Sequence, residues 1–499
     1  MDDLTVLTTV SAAPAADASL SSVFHPAYCT LALNKSKHEV LTHAIYSRKR
    51  GAEVSGTAIG SVPFCKKFLE SKLSEFGDRL ALIRGLPLQQ RQLLLRYCVV
   101  TTLIHLTRTL RSDDPSIMEV WARADALVDA ELASLLSSPV EGLVPLPLLT
   151  QLPMCLGGFG IPHYQTIVPS AYTSASSAVH QFLGKIGLRA PLHSVPPSHK
   201  DLLKLMHAQM AAAVRTALPI QYHSTLDDHC NTSSYVFLTA CPTSPDLMMT
   251  DAEYRVALWT RSFNAGVTGR CNCNASAAIP GHDLTCALLG PVRMSNHELV
   301  KRCLHRSLEE SGSVVRTEPP GAWPSPHDSV DGQRSRPKRA DLKVTGGACP
   351  GFTAAYIDVS IVSPYHASRV ESLESAKNRR YQDKIVAYHS VFTNFYPFVL
   401  STSGSYHPKC STIFEALKAK GIDVIKLKRS IAIGMLKHRA TAYSIMYDGL
   451  RQRRSGVDHF FSPSQQTSTR ATLAYAHARF STMLGADLVI DPDWPMDTG

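Results

Sequence analysis

The chain has 499 residues, 44% hydrophobic and 18% charged. That globular balance excludes a disordered or fibrous protein, and the length suits about three ordinary domains. Its 51 Lys and Arg against 41 Asp and Glu leave a net charge of +10, which points to a polyanionic partner because phosphate contacts gain affinity from counterion release; a basic protein without such a partner is the plainer alternative. The 12 cysteines form one tight group only, which excludes a secreted disulfide scaffold. With no signal core and no long apolar run, the expectation is a soluble intracellular protein without membrane contact.

In chain order, Asp2 and Asp3 precede a strand-like run, LTVLTT, and LALNKSKHEVLTH brings Lys37 to the end of a second strand. The glycines of GTAIGS, Gly56 and Gly60, predict a turn. From Pro63 to about Leu110 the apolar spacing is helical, broken at Pro87, with Arg91, Arg96 and Arg108 interleaved. A further helix is expected over Ile117 to Leu136, after the cap-like DDPS. The Pro- and Gly-rich PVEGLVPLPLLTQLPMCLGGFGIPHY predicts an irregular connector. Helices resume near Ala171 to Ile186 and Lys200 to Leu218, and residues 220 to 270 carry no clear pattern.

The segment CNCNASAAIPGHDLTC supplies Cys271, Cys273, His282 and Cys286, three thiolates and an imidazole suited to tetrahedral structural zinc. The single residue between its first two cysteines is tighter than usual. His297, Cys303 and His305 are alternative ligands, and reduced core cysteines without metal are the plainer reading. A helix with His297, Val300, Leu304 and Leu308 on one face follows, then a polar Pro/Gly/Ser loop up to Pro337. From Ala340 to about Lys420 the order strand, helix, strand, helix predicts a small α/β unit. Helices are expected from Val424 to Leu450 and from Thr472 to Leu484, separated by a basic connector.

Chemistry concentrates in the α/β unit. Asp358 interrupts the otherwise apolar strand of AAYIDVSIV, where an ionised carboxylate is costly unless a metal, cation or hydrogen bond compensates it. Strand alternation sets Tyr356, Asp358 and Ser360 on one face. A hairpin return would place Asp358 beside Asp341, and such a pair can hold a hard divalent cation. Lys377, Tyr381 and Lys384 share a face of the next helix, and Glu318 is a candidate third acid. A salt-bridged strand aspartate and a solvated basic helix face are the structural alternatives.

Taken together, these segments resemble the C-terminal part of a non-long-terminal-repeat retrotransposon polyprotein ending in a restriction-like endonuclease. MDDLTVL is similar to the tail of the polymerase metal-binding box and LALNKSKHEVL to the next polymerase motif, which implies Asp2, Asp3 and Lys37 as polymerase cofactor-binding positions. GTAIGS through LTRTL resembles the following turn and thumb, LGGFGIPHY the segment between thumb and knuckle, and the cysteine cluster the zinc knuckle. RADL, YIDVSIVSP and AKNRRY resemble the PD-(D/E)-x-K endonuclease. The resemblance implies Asp341 and Asp358 as magnesium or manganese ligands and Lys377 as catalytic lysine, with Arg380 and Lys384 competing for that role; Glu318 and Tyr381 complete the candidate catalytic set.

Departures from the family pattern are Ala340 in place of proline before the first acid and Ser360 where the common form has its lysine. The implied architecture is multidomain: a mainly α N-terminal half of palm remnant (1–62) and helical thumb (63–140), a connector (141–265), a zinc knuckle with its following helix (266–310), an α/β restriction-endonuclease-like domain (311–422) and a C-terminal helical extension (423–499). The implied partners are a DNA target and the element RNA, and the implied location is the nucleus. The resemblance further implies metal-dependent DNA nicking without reverse transcription by this polypeptide alone. A non-catalytic nucleic-acid-binding remnant is the alternative.

Overall fold

The computed structural model describes residues 51–447 except 55, 138–141, 186–197, 265–269, 277–280, 320–338, 347–353, 364, 367–368, 371, 389–390 and 393. Asp2, Asp3, Lys37, the Pro/Gly/Ser loop from 320 onward and the expected helix from Thr472 to Leu484 lie outside the described residues. Within them the chain is mainly helical with a small sheet. It divides into two compact units, each drawn from separated stretches: residues up to 82 with 97–128 and 162–203 in the first, and 83–96, 129–161 and 204 onward in the second. No helix among the described residues is long and apolar enough to cross a membrane.

In the first unit GTAIGS is more than the turn its glycines predict. Gly51–Val54 (β1) and Thr57–Gly60 (β2) pair antiparallel around Gly56, whose φ of +71° suits glycine. Helix α1, Val62–Ile83, buries Leu69, Leu73, Phe76 and Leu80 at alternating spacings of four and three. Helix α2, Leu88–Leu94, belongs to the second unit; α3, Pro115–Leu136, begins in the first and turns Trp121 and Asp125 inward. Trp121 lies against Tyr164, ring centres 5.1 Å apart, and Phe76 meets the same ring edge-on. Tyr164 opens α4, Tyr164–Lys185. The Asp125 carboxylate accepts the N–H groups of Tyr164 and Gln165 at 2.7 and 2.9 Å, satisfying donors that a helix start leaves orphaned. The Tyr164 hydroxyl donates to Val100 O, and burial holds its pKa well above the ordinary value. Helix α5, His199–Ala217, lies mostly in the second unit.

The region 220–270, silent as sequence, carries α6, Asp251–Arg261, started by a full capping box between Thr250 and Glu253. Its last residue, Arg261, is fully buried and donates to the carbonyls of Met154, Gly158 and His229. Burial pushes its pKa down to about 10. The glycines of LGGFG make this possible: a Cβ on Gly158 would lie 2.0 Å from Leu152 O, so only glycine lets the loop fold tightly enough to aim its carbonyls at the guanidinium.

The second unit's sheet has the order β3 (Val314–Thr317), β4 (Leu342–Thr345), β5 (Ala355–Val362), β6 (Phe395–Ser401). The first three strands run antiparallel; β6 is parallel to β5 and is reached through helix α8, Leu373–Tyr388. Strand β3 adds an edge to the predicted α/β unit. Helix α7, Gly290–Glu310, packs Val300, Leu304 and Leu308 into a core with Leu342, Val344, Ile357 and Val359 of the sheet. That core also takes Leu417 of α9, Ser411–Ala419, and Leu427 and Ile431 of α10, Val424–Met446.

Candidate active site and metal centre

Strand register determines which acids become neighbours. Leu342 stands opposite Ile357 in the antiparallel β4–β5 pair, which sets Asp341 opposite Asp358, within the roughly 5 Å of cross-strand neighbours. Thr317 stands opposite Leu342, which sets Glu318 opposite Asp341; the Glu318 N–H donates to Asp341 O at 2.8 Å. Glu318, Asp341 and Asp358 therefore form one row across three strands. Glu318 has a φ of +45°, leaving the regular pleat at the sheet edge.

Each carboxylate in the row has a partner. Asp341 Oδ2 accepts the Val359 N–H at 2.7 Å and lies 3.1 Å from His297 Nε2 of α7. Asp358 is only 4% exposed, and Lys384 Nζ of α8 stands 2.5 Å from its Oδ2, although the approach lies outside the direction of an aligned hydrogen bond. Burial raises the Asp358 pKa against the opposing charge of Lys384, and the neighbouring Asp341 raises it further. Glu318 pairs with Lys301 at 2.9 Å, which lowers its pKa, and Lys301 also reaches Glu298 at 2.6 Å. The hydrogen bond to Asp341 raises the His297 pKa.

Of the competing basic residues of α8, Lys384 stands at Asp358 and Lys377 does not. Lys377 is buried with its Nζ 3.0 Å from Ser405 Oγ, 3.2 Å from Tyr406 O and 3.2 Å from Glu374. It stands two helical turns, about 10 Å, before Lys384, and Lys384 is the one at Asp358. Among the described residues Arg380 makes no ion pair with the acids. Tyr381 turns away as well, stacked on His407 with centroids 4.3 Å apart. Tyr388 is the tyrosine of α8 near the row: burial, reinforced by Asp358 and Asp341, raises its pKa to about 12, and Lys384 lies 5.2 Å over its ring. Sequence reasoning left His297 among alternative zinc ligands and missed its place at Asp341; its position one turn before Val300 on the core-facing side of α7 was the available signal.

The cysteine loop forms the second site. The ligand atoms of Cys271, Cys273, His282 and Cys286 all lie within 4.8 Å of one another. Cys271 and Cys286 sulfurs are 3.7 Å apart, and Cys273 Sγ is 3.3 Å from His282 Nε2. A disulfide would need about 2 Å, whereas ligands 2.3 Å from a shared tetrahedral ion stand about 3.8 Å apart. The donor set and spacing thus suit zinc. Cys303 packs against the core of the sheet, and His305 pairs with Glu309 at 3.2 Å, so neither joins the cluster. Burial pushes the Cys271 thiol up to about 11; the Ala275 amide lowers Cys273.

Local contacts hold the loop to α10. The Asn272 N–H and side-chain amide donate to Met446 O and Ile445 O, satisfying carbonyls at the helix end. Asp283, beside His282, meets Arg439 at 2.5 Å. Gly281, at φ +66°, lies under the Tyr365 ring so closely that a Cβ would be 2.2 Å from it. No family model matches the chain, and no curated protein matches it.

Proposed function

We propose that the chain is the nicking and nucleic-acid-binding part of a non-long-terminal-repeat retrotransposon polyprotein, acting on chromosomal DNA in the nucleus with the element RNA as second partner. The observation that supports it most is the cross-strand pairing of Asp341 with Asp358 and the placement of Lys384 beside the second. Two adjacent carboxylates on a rigid sheet are the donor set for a hard cation, magnesium or manganese. The contacts of Asp341 run through its Oδ2 among the described residues, which leaves Oδ1 for a cation, whereas Asp358 Oδ2 is met by Lys384, which an ion at that oxygen would have to displace.

Bound there, such an ion would polarise a phosphodiester and lower the pKa of water. The chain itself would supply Asp341 and Asp358 as ligands and Lys384 as the cation facing charge that develops on the phosphate. Lys301 screens Glu318 at the sheet edge. The zinc-type loop would stiffen the same unit without taking part in the chemistry.

A second reading keeps the binding and drops the cutting. The acids are already neutralised by Lys384, His297 and the Val359 amide, as in a remnant that needs no metal. Supercoiled plasmid incubated with magnesium or manganese separates the two. Nicked circles should form with wild type and fall by about 10³-fold in Asp358→Ala, while gel-shift affinity and its salt slope persist. Equal nicking by Asp358→Ala would discard the assignment; binding without nicking by wild type would leave the remnant.

A further inference from the structure

We infer that His297 is a positioning residue that fixes the Asp341 carboxylate for metal binding; this rests on the nuclease reading. The geometry begins with α7. Val300, Leu304 and Leu308 are buried against the sheet at helical spacing, and His297, three residues before Val300, continues that face past the core to the strand ends. There its Nε2 meets Asp341 Oδ2 at 3.1 Å. An ionised carboxylate only accepts, so the proton of this bond sits on Nε2. Nδ1 is buried without a hydrogen-bond partner among the described residues, its nearest acid being Glu298 Oε1 at 3.7 Å, so the bond to Asp341 is the shorter of the two contacts that orient the ring.

Asp341 Oδ2 is thus held from two directions, by imidazole and by the Val359 amide at 2.7 Å. The amide comes from the residue that follows Asp358, so the same backbone segment that presents one carboxylate orients the other. With Oδ2 engaged by two donors, the carboxylate's rotation is restricted and Oδ1 is left for a cation. A carboxylate held this way loses less rotational freedom when it takes a cation, the usual benefit of outer-shell hydrogen bonds around a metal site. His297 touches neither substrate nor ion in this account; it acts through Asp341.

The test uses the full, zinc-loaded chain and reads the magnesium concentration that half-saturates single-turnover nicking. His297→Leu, which keeps bulk and removes the donor, should raise that concentration about ten-fold or more while DNA affinity without metal stays at the wild-type level. His297→Gln, whose amide nitrogen reaches the same position, should recover most of the loss; His297→Asn, one carbon shorter, should not. This order among three polar and apolar variants is not expected of a packing role. Wild-type nicking with an unchanged magnesium requirement in His297→Leu, or equal impairment in Gln and Leu variants, would overturn the inference alone. Absence of nicking by wild type in magnesium and manganese would overturn the nuclease reading and the inference with it.

Discussion

In the cysteine loop, four ligand atoms already stand within 4.8 Å of one another, brought there by a turn, a short helix and two bonds to the end of α10. In the acidic row, the carboxylates come from three strands, and each is answered by a lysine, an imidazole or an amide. The difference separates what a metal would do in each place. At the loop it would hold together four donors drawn mostly onto one another, so its energy enters folding. At the row it would add to groups already compensated, so its removal should cost activity with little change in stability.

The largest expected effect therefore falls on the loop. Chelation of zinc, or Cys271→Ser, should cost on the order of 5 kcal/mol in urea unfolding, below the roughly 10–16 kcal/mol that structural zinc contributes in finger peptides, which are unfolded without it. Withdrawing magnesium should leave the unfolding midpoint nearly unchanged. A zinc-free chain as stable as the loaded one would erase the contrast.

Next comes the division between the two lysines of α8. Lys384→Met should reduce nicking by about 10²-fold or more with folding intact. Lys377→Met should instead lower stability by roughly 1–3 kcal/mol, because the buried Ser405 and Tyr406 acceptors lose their donor. Opposite outcomes would return the catalytic assignment to Lys377.

A smaller effect concerns Asp228, away from the row. It is buried, accepts hydrogen bonds from Ser401, and burial raises its pKa against the lowering influence of Ser403, Ser401 and Lys377. A raised folded-state pKa means that the stability this carboxyl contributes is complete below its unfolded value near 4 and is lost as pH rises through the higher folded value. Asp228→Asn should accordingly gain on wild type in urea midpoint as pH rises above about 4. A difference independent of pH would show that its ionisation is not penalised.

Legibility in sequence followed the range of the contacts. The cysteine ligands sit within one short segment, so residue type and spacing nominate them together. Asp358 is conspicuous as a charge in an apolar strand, and a hairpin return brings Asp341 near it. The choice between Lys377 and Lys384 is different: both lie on one face of α8, and which one meets Asp358 depends on how far that helix slides along β5, a property of the crossover to β6. His297 illustrates the same limit, since its helix face was readable but the overhang of α7 beyond the sheet was not. Arg261 needed still more, a glycine turn a hundred residues earlier that supplies its carbonyls.

Manganese binding by the zinc-loaded chain, followed by electron paramagnetic resonance, tests the shared site most directly. One tightly bound ion per chain should appear with wild type and disappear in both Asp341→Asn and Asp358→Asn. Manganese retained undiminished in either variant, or no bound ion in wild type, would contradict a metal held between these two aspartates.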